Sequence, residues 1–126
     1  MNEARYQAGL RVRSEVMGSA APRVVDADPH GIGRAMQEFA IEWAWGAVWT
    51  REGLSRKTRS IVNIALMMAL NRATELEGHM RGALRNGVTP EELKEVILQG
   101  AAYCGVPAGG EASRIAMRVL AEHTPA

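Results

Sequence analysis

Glu75 and His79 stand four residues apart in the segment TELEGHMRG, the spacing that stacks two side chains on one face of a helix. An imidazole beside a carboxylate can serve as a general acid or base near neutral pH. Arg72 extends the same column if the helix begins early. A structural histidine in a helical salt bridge has the same spacing, so the pair alone leaves both readings open. Arg51, Arg56, Arg59 and Arg72 surround one apolar run. Guanidinium groups bind carboxylates bidentately, so two of them at one pocket would suit a polyanionic small molecule. Taken singly, each arginine is equally a solvated cation or a subunit salt-bridge partner. Glu38, Glu42, Trp45 and Trp49 could form one wall of a pocket, or the face of a helix packed at an oligomer interface. Trp43, Trp45 and Trp49 fall within seven residues, which favours their burial.

Other chemistries find less support. Cys104 is the single cysteine. It follows an apolar helix and is expected to be a small core residue. One cysteine rules out an intrachain disulfide, CxxC redox chemistry and a multi-thiolate zinc site. His30 and His123 share no ligand spacing with His79, so no metal site is expected. Gly109-Gly110 lies between helices rather than after a strand, which is not the setting of a phosphate-binding loop.

The elements that must position these groups are helices. Ile61–Leu70 is a ten-residue apolar run broken only by Asn63. It predicts a buried central helix over 56–70, capped by Ser55. Its first turn is basic (Arg56, Lys57, Arg59), the wrong sign for a helix N-terminus by about 0.3–1 kcal/mol per exposed charge. Either the cations are solvated, or they face an anion on a ligand or neighbouring subunit. A following helix over 73–86 turns Leu76, Met80, Ala83 and Leu84 inward and ends at Asn86-Gly87. Thr89-Pro90-Glu91-Glu92 combines an N-cap, a proline at the first helical position and a capping-box glutamate. That helix breaks at Gly105-Val106-Pro107, and the last helix covers 108–122.

Upstream, residues 3–17 carry Tyr6, Leu10, Val12 and Met17 at loose helical spacing, closed by Gly18. Gly18–Ala27 reads as a connecting segment. Asp28-Pro29 predicts the next helix start, with Ile32, Met36, Phe39 and Trp43 as its apolar stripe and Gly46 as its end. No segment alternates as a strand would. The expected architecture is all-α, about six helices in one domain over 1–126.

Composition agrees. A chain of 126 residues with 47 % hydrophobic content can bury a core and is not a disordered type. The net charge is +1 and the cations are scattered, which argues against a nucleic-acid partner. The N-terminal stretch lacks the apolar core of a signal peptide, and Ile61–Leu70 is too short to span a bilayer. The expectation is a cytoplasmic protein with no membrane partner.

Three stretches resemble the carboxymuconolactone decarboxylase family: RYQAGLRVRSEVMG near the N-terminus, WGAVWTREGLSRKTRSIVNIALMMALNR over 45–72 and EGHMRGALRNGVTPEELKEVILQGAAYCGVPA over 77–108. The similarity is greater to the 4-carboxymuconolactone decarboxylases than to the alkylhydroperoxidase-D branch. That branch carries a CxxCxxxH motif. Aligned on His79, its cysteine positions are Arg72 and Glu75 here, so the histidine remains while the redox pair is absent. Two departures from the family pattern stand out: Ala47 where an acidic residue is expected, and Gly109-Gly110-Glu111-Ala112-Ser113 in place of a bulkier segment; they leave open a different small lactone or carbonyl substrate on the same scaffold, with a non-catalytic helical oligomer as the other alternative.

The resemblance implies an alkylhydroperoxidase-D-like fold assembled as a homo-oligomer, trimer or hexamer. It also implies decarboxylation of a dianionic lactone without a cofactor. Loss of CO2 from the ring carbon would send electrons through the ring double bond to the lactone carbonyl, so the substrate is its own electron sink. The protein must then orient a dianion, stabilise the oxyanion and deliver one proton. His79 would act as proton donor or oxyanion stabiliser with Glu75 orienting it, and Glu42 could assist. Arg51, Arg59 and Arg72 would bind carboxylates, and Trp49 would line the pocket. Arg81 matches the family pattern, but helical geometry points it away from His79, so it could reach only a neighbouring subunit's site.

Overall fold

A computed structural model describes residues 1–18 and 27–122. The chain divides into two compact units, Met1–Leu54 and Ser55–Ala126. The greater part of the expected connecting segment, and His123, lie outside the described residues. Among the described residues all regular structure is helical, and no helix is long and apolar enough to cross a membrane.

The first unit holds α1 (Glu3–Met17), α2 (Ile32–Phe39) and a π-helical segment, Ala40–Val48, continuous with α2. Asn2 caps α1, its side chain accepting from the Arg5 amide at 3.0 Å, and Gly18 ends it at φ 71°. Gly18 takes the left-handed conformation that a side chain would disfavour. Of the residues expected to face inward, Val12 is buried; Gly9 and Val16 complete the buried stripe. Two glycines, Gly9 and Gly46, let α1 and the π-helical segment cross closely. A Cβ on Gly9 would lie 2.0 Å from the Ile41 carbonyl oxygen, and one on Gly46 would lie 2.3 Å from that of Arg5. Gly46 is therefore a packing residue inside the helical run and does not end it.

Asp28 does cap α2, but from outside the expected register. Its two carboxylate oxygens accept from the amides of Ile32 (2.8 Å) and Arg34 (2.9 Å). The amide bonds, that of Arg34 foremost, hold this carboxyl below its usual range. Pro29 and His30 form a turn, Gly31 at φ 70° completes it, and the helix begins at Ile32 rather than at Pro29. The apolar stripe also behaves differently from expectation: Ile32, Met36, Phe39 and Trp43 are all exposed. Burial in this unit comes instead from the π segment. Its wider turn gathers Ile41, Glu42, Trp45 and Gly46 onto the buried face. Trp45 and Trp49 stack at 4.8 Å between ring centroids and pack with Val12 and Val16.

The second unit holds α3 (Arg56–Leu70), α4 (Ala73–Arg85), α5 (Pro90–Cys104) and α6 (Val106–Glu122). Ser55 caps α3, accepting from the Thr58 amide at 3.1 Å. Lys57, one of the ill-placed first-turn cations, pairs with Glu92 at 2.9 Å. That contact, with the Thr89 amide, holds the Glu92 carboxyl below its usual range. The same Glu92 closes the capping box with Thr89, as expected. Asn71 at φ 56° makes the tight turn into α4. Gly105 at φ 103° is the whole break between α5 and α6, which starts at Val106, two residues earlier than expected. Pro107 fits there because the first helical turn needs no amide donor.

The core of this unit is built by Ile64 and Met68 of α3, Leu76 and Met80 of α4, Leu93 and Ile97 of α5, and Ile115 and Val119 of α6. Only one face of the apolar α3 is covered within the unit, contrary to the expected full burial: Val62, Leu66 and Leu70 are exposed. Cys104 is likewise exposed rather than a core residue, because the last turn of α5 runs past the packed layer with Tyr103 82 % exposed. Gly109, one of the family departures, allows α6 to approach α5: a Cβ there would lie 2.5 Å from that of Ala101.

Candidate functional site

Of the seven expected site residues, Glu42, Trp49 and Arg51 belong to the first unit and Arg59, Arg72, Glu75 and His79 to the second. Each group has its own setting.

In the first unit Glu42 is buried at 7 % exposure, an expensive place for a carboxylate without partners. It has them. Its Oε1 accepts from the Asn2 amide at 2.9 Å and lies 3.6 Å from an Arg5 guanidinium nitrogen. The Arg5 guanidinium also sits 4.4 Å over the Trp43 ring. Glu42 thus closes the free N-terminal end of α1, where the helix dipole favours negative charge. Trp49 is a core residue of this unit, and Arg51 is exposed on the turn that follows it.

In the second unit the packing of α3 against α4 decides which groups meet. Glu77 and Arg81 occupy the flank of α4 that faces α6. Arg81 donates to both carboxylate oxygens of Glu122, at 2.8 and 3.0 Å, and Arg118 donates to Glu77 at 2.9 Å. Arg81 does point away from His79, and it engages an acid of its own chain. Glu75, His79 and Asn86 share the opposite flank of α4, at i, i+4 and i+11. That flank faces α3, because the Asn86 side-chain amide donates to the Ser60 hydroxyl at 2.8 Å and to the Arg56 carbonyl at 3.4 Å. On α3, Ile61 and Ala65 border the cleft against α5. The flank towards α4 therefore carries Arg56, Arg59, Asn63 and Met67.

The Asn86 bonds thus set the Glu75–His79 flank of α4 beside the flank of α3 on which helical spacing puts Arg59, and the space along this helix pair is called the α3–α4 groove below. Arg59 is half-buried with its Nε enclosed. His79 is half-buried and Glu75 exposed. Burial pushes the imidazole of His79 below its usual value, and the Glu75 charge only partly opposes this. The shift favours the neutral imidazole, which has one N–H to donate and one ring nitrogen to accept. Arg72 is exposed and stands outside the helix, at the cap of α4, where its carbonyl accepts from the Leu76 amide at 2.8 Å. The early helix start that would put Arg72 in the column does not occur. Two apolar clefts, one between α5 and α6 and one between α3 and α5, are lined by none of the seven residues. Among the described residues, no group of three His, Cys, Asp or Glu side chains is placed to hold a metal ion.

Comparison with known proteins adds a separate line of observation. The pattern of the carboxymuconolactone decarboxylase family matches residues 34–118. A 4-carboxymuconolactone decarboxylase of Acinetobacter baylyi is 43 % identical over 119 residues, covering 94 % of this chain and 89 % of the relative. A nitrosuccinic acid decarboxylase of Metarhizium robertsii is 38 % identical over 115 residues, covering 91 % of this chain and 80 % of the relative. An uncharacterized 15.0 kDa protein of Paracoccus denitrificans is 36 % identical over 84 residues.

Proposed function

Because the chain belongs to the carboxymuconolactone decarboxylase family, we propose that it is a carboxy-lyase that converts 4-carboxymuconolactone to the 3-oxoadipate enol-lactone and CO2. The observation that carries this reading is the 43 % identity to a decarboxylase of that name across 94 % of the chain. The α3–α4 groove supplies suitable chemistry. A neutral, half-buried imidazole can donate to the oxygen that gains charge as CO2 leaves, and a bound dianion would raise its proton affinity for the later protonation step. Glu75 fixes the imidazole, and Arg59 offers a cation to a substrate carboxylate. Arg51 and Arg72, both exposed, are the further carboxylate binders of this reading, and the reaction needs no cofactor. Glu42 and Trp49 support the first unit, where their contacts already lie. In metabolism such an enzyme would act in the cytoplasm, in aromatic-acid breakdown by the protocatechuate branch of the β-ketoadipate pathway.

The nitrosuccinic acid relative favours a second substrate reading. Nitrosuccinate, like the lactone, is a dicarboxylate whose departing CO2 leaves electrons on a built-in sink, here the nitro group. The same donor set would serve either anion.

The working form is a homo-oligomer, a trimer or a hexamer. Support comes from the exposed stripe Ile32, Met36, Phe39 and Trp43, which a lone chain leaves in water. Sedimentation of Met36→Glu against the parent tests this, and a parent that runs as a monomer overturns it.

Release of CO2 from 4-carboxymuconolactone and from nitrosuccinate is the direct assay. Turnover that is lost in His79→Ala, with assembly unchanged, is the expected result. A stable, assembled protein that turns over neither compound would leave a non-catalytic helical oligomer as the better account.

A further inference from the structure

Asn63 is the one polar residue inside the apolar run of α3, and nothing in the assignments above uses it. It is half-buried, and no hydrogen bond among the described residues engages its side-chain amide. Its amide atoms are not among the side-chain nitrogens and oxygens closed off from water without a partner, so the amide stays open to a ligand. A valine or leucine would continue the apolar run on either side, and the polar residue stands there instead.

Its place in the groove supplies a reason. The bonds from Asn86 to Ser60 and to the Arg56 carbonyl fix the register of the antiparallel α3–α4 pair. Seven residues back along α4 from Asn86 is His79. Seven residues forward along α3 from Arg56 is Asn63, and from Ser60 is Met67. Each step is about 10 Å, two helical turns, so both helices return to the same facing flanks. His79 thus stands level with the turn Asn63–Met67, and Asn63 and Met67 share the flank of α3 that faces it. Arg59 lies one turn further along that flank. By this register the α3 positions level with His79 are Asn63 and Met67, with Arg59 one turn on, while Glu75 lies one turn along its own helix.

We infer that Asn63 is a substrate-contacting residue whose side-chain N–H, together with His79, donates to the oxygen that takes up charge as CO2 leaves. Two neutral donors converging from facing helices make an oxyanion site that water need not complete. Asn63 is suited to it because its amide stays uncharged at every working pH and sits on a rigid helix. No atom is transferred to or from Asn63: the C–C electron pair passes to the substrate's own sink, and the proton comes from elsewhere in the groove.

This rests on the decarboxylase reading above, and the experiment separates the two. Asn63→Leu and Asn63→Asp are compared with the parent on 4-carboxymuconolactone and nitrosuccinate, alongside thermal unfolding. The expected result is a kcat lower by about 10²–10³-fold, with KM within a few-fold and folding retained. A donor that binds only a spectator carboxylate would raise KM and leave kcat, and an unaltered kcat/KM would mean a structural residue; both overturn the inference. Should the parent turn over neither compound, the substrate reading falls. Asn63 is then judged by its side-chain amide resonances during titration with muconolactone, which keeps the lactone carbonyl but lacks the departing carboxylate. A saturable shift, absent in His79→Ala, supports the contact, and unmoved resonances overturn it.

Discussion

The Asn86 side-chain amide, at the C-terminal end of α4, donates to the hydroxyl of Ser60, 2.8 Å away near the start of α3. Ser60 is 1 % exposed, so this bond is the means by which a buried hydroxyl is satisfied and by which the register of the groove is set. Asn86→Leu should cost about 1–3 kcal/mol in unfolding free energy, since it leaves the hydroxyl without that partner. Ser60→Ala alone should cost less, and the double variant should lose less than the sum. Additive losses in urea melts would show that the two side chains are not coupled.

A carbonyl oxygen is the nearest obstacle at both Gly9 and Gly46, with the Arg5 Cγ beside it at Gly46. The Cβ of Gly9→Ala would fall 2.0 Å from the Ile41 oxygen, and that of Gly46→Ala 2.3 Å from the Arg5 oxygen. Carbonyl groups in packed helices cannot rotate aside, so each substitution should destabilise by roughly 1–3 kcal/mol or more. A variant that melts with the parent would show that this crossing is looser than described.

The titration of His79 carries a sign. Its folded value lies below its usual one, so the unfolded chain binds the proton more tightly. Stability is then unaffected above the unfolded value and is lost as pH falls from there through the folded value. Glu75→Gln removes the one charge that raises the imidazole, so His79 should titrate lower still in that variant. Imidazole proton shifts followed by NMR decide this, and an upward move in Glu75→Gln would sink the assignment of the pair.

Arg81 pairs with both Glu122 and Glu77, and the bond to Glu122 holds its guanidinium firmly charged. The network is largely solvent-accessible, so Arg81→Ala should cost no more than about 1 kcal/mol. Because it faces α6 rather than the groove, kcat/KM for a dianionic substrate should stay within a few-fold of the parent. A hundredfold loss of kcat/KM with folding intact would show that Arg81 leaves Glu122 for the substrate.

Local signals set the helices of the second unit to within a residue or two. Ser55, the Thr89–Glu92 capping box, Asn71 and Gly105 all act through bonds and dihedrals that span four residues or fewer. The absence of cysteine at 72 and 75 likewise needed no fold to be read. Signals that depend on what lies across from a residue were less legible. The stripe from Ile32 to Trp43 has ideal spacing yet faces solvent, and α3 is apolar all round yet covered on one side. Periodicity records which residues share a face; it does not record whether another element packs there. The burial and ion pairing of Glu42 are not legible in spacing, because its partners, the Asn2 amide and Arg5, are some forty residues away. Asp28 gave the right cap in the wrong register, because an Asx carboxylate can reach across a turn closed by Gly31.

The sequence by itself determined that the chain is helical, that its family is that of the carboxymuconolactone decarboxylases, and that an imidazole and a carboxylate share one helical flank. Only the tertiary structure decided which flank of α3 that pair faces. Helical spacing is a property of one segment, whereas facing is a property of two, fixed here by the reach of Asn86 to Ser60. That contact sets the flank of α4 that carries Glu75 and His79 against α3, while Arg81 on the other flank pairs with Glu122.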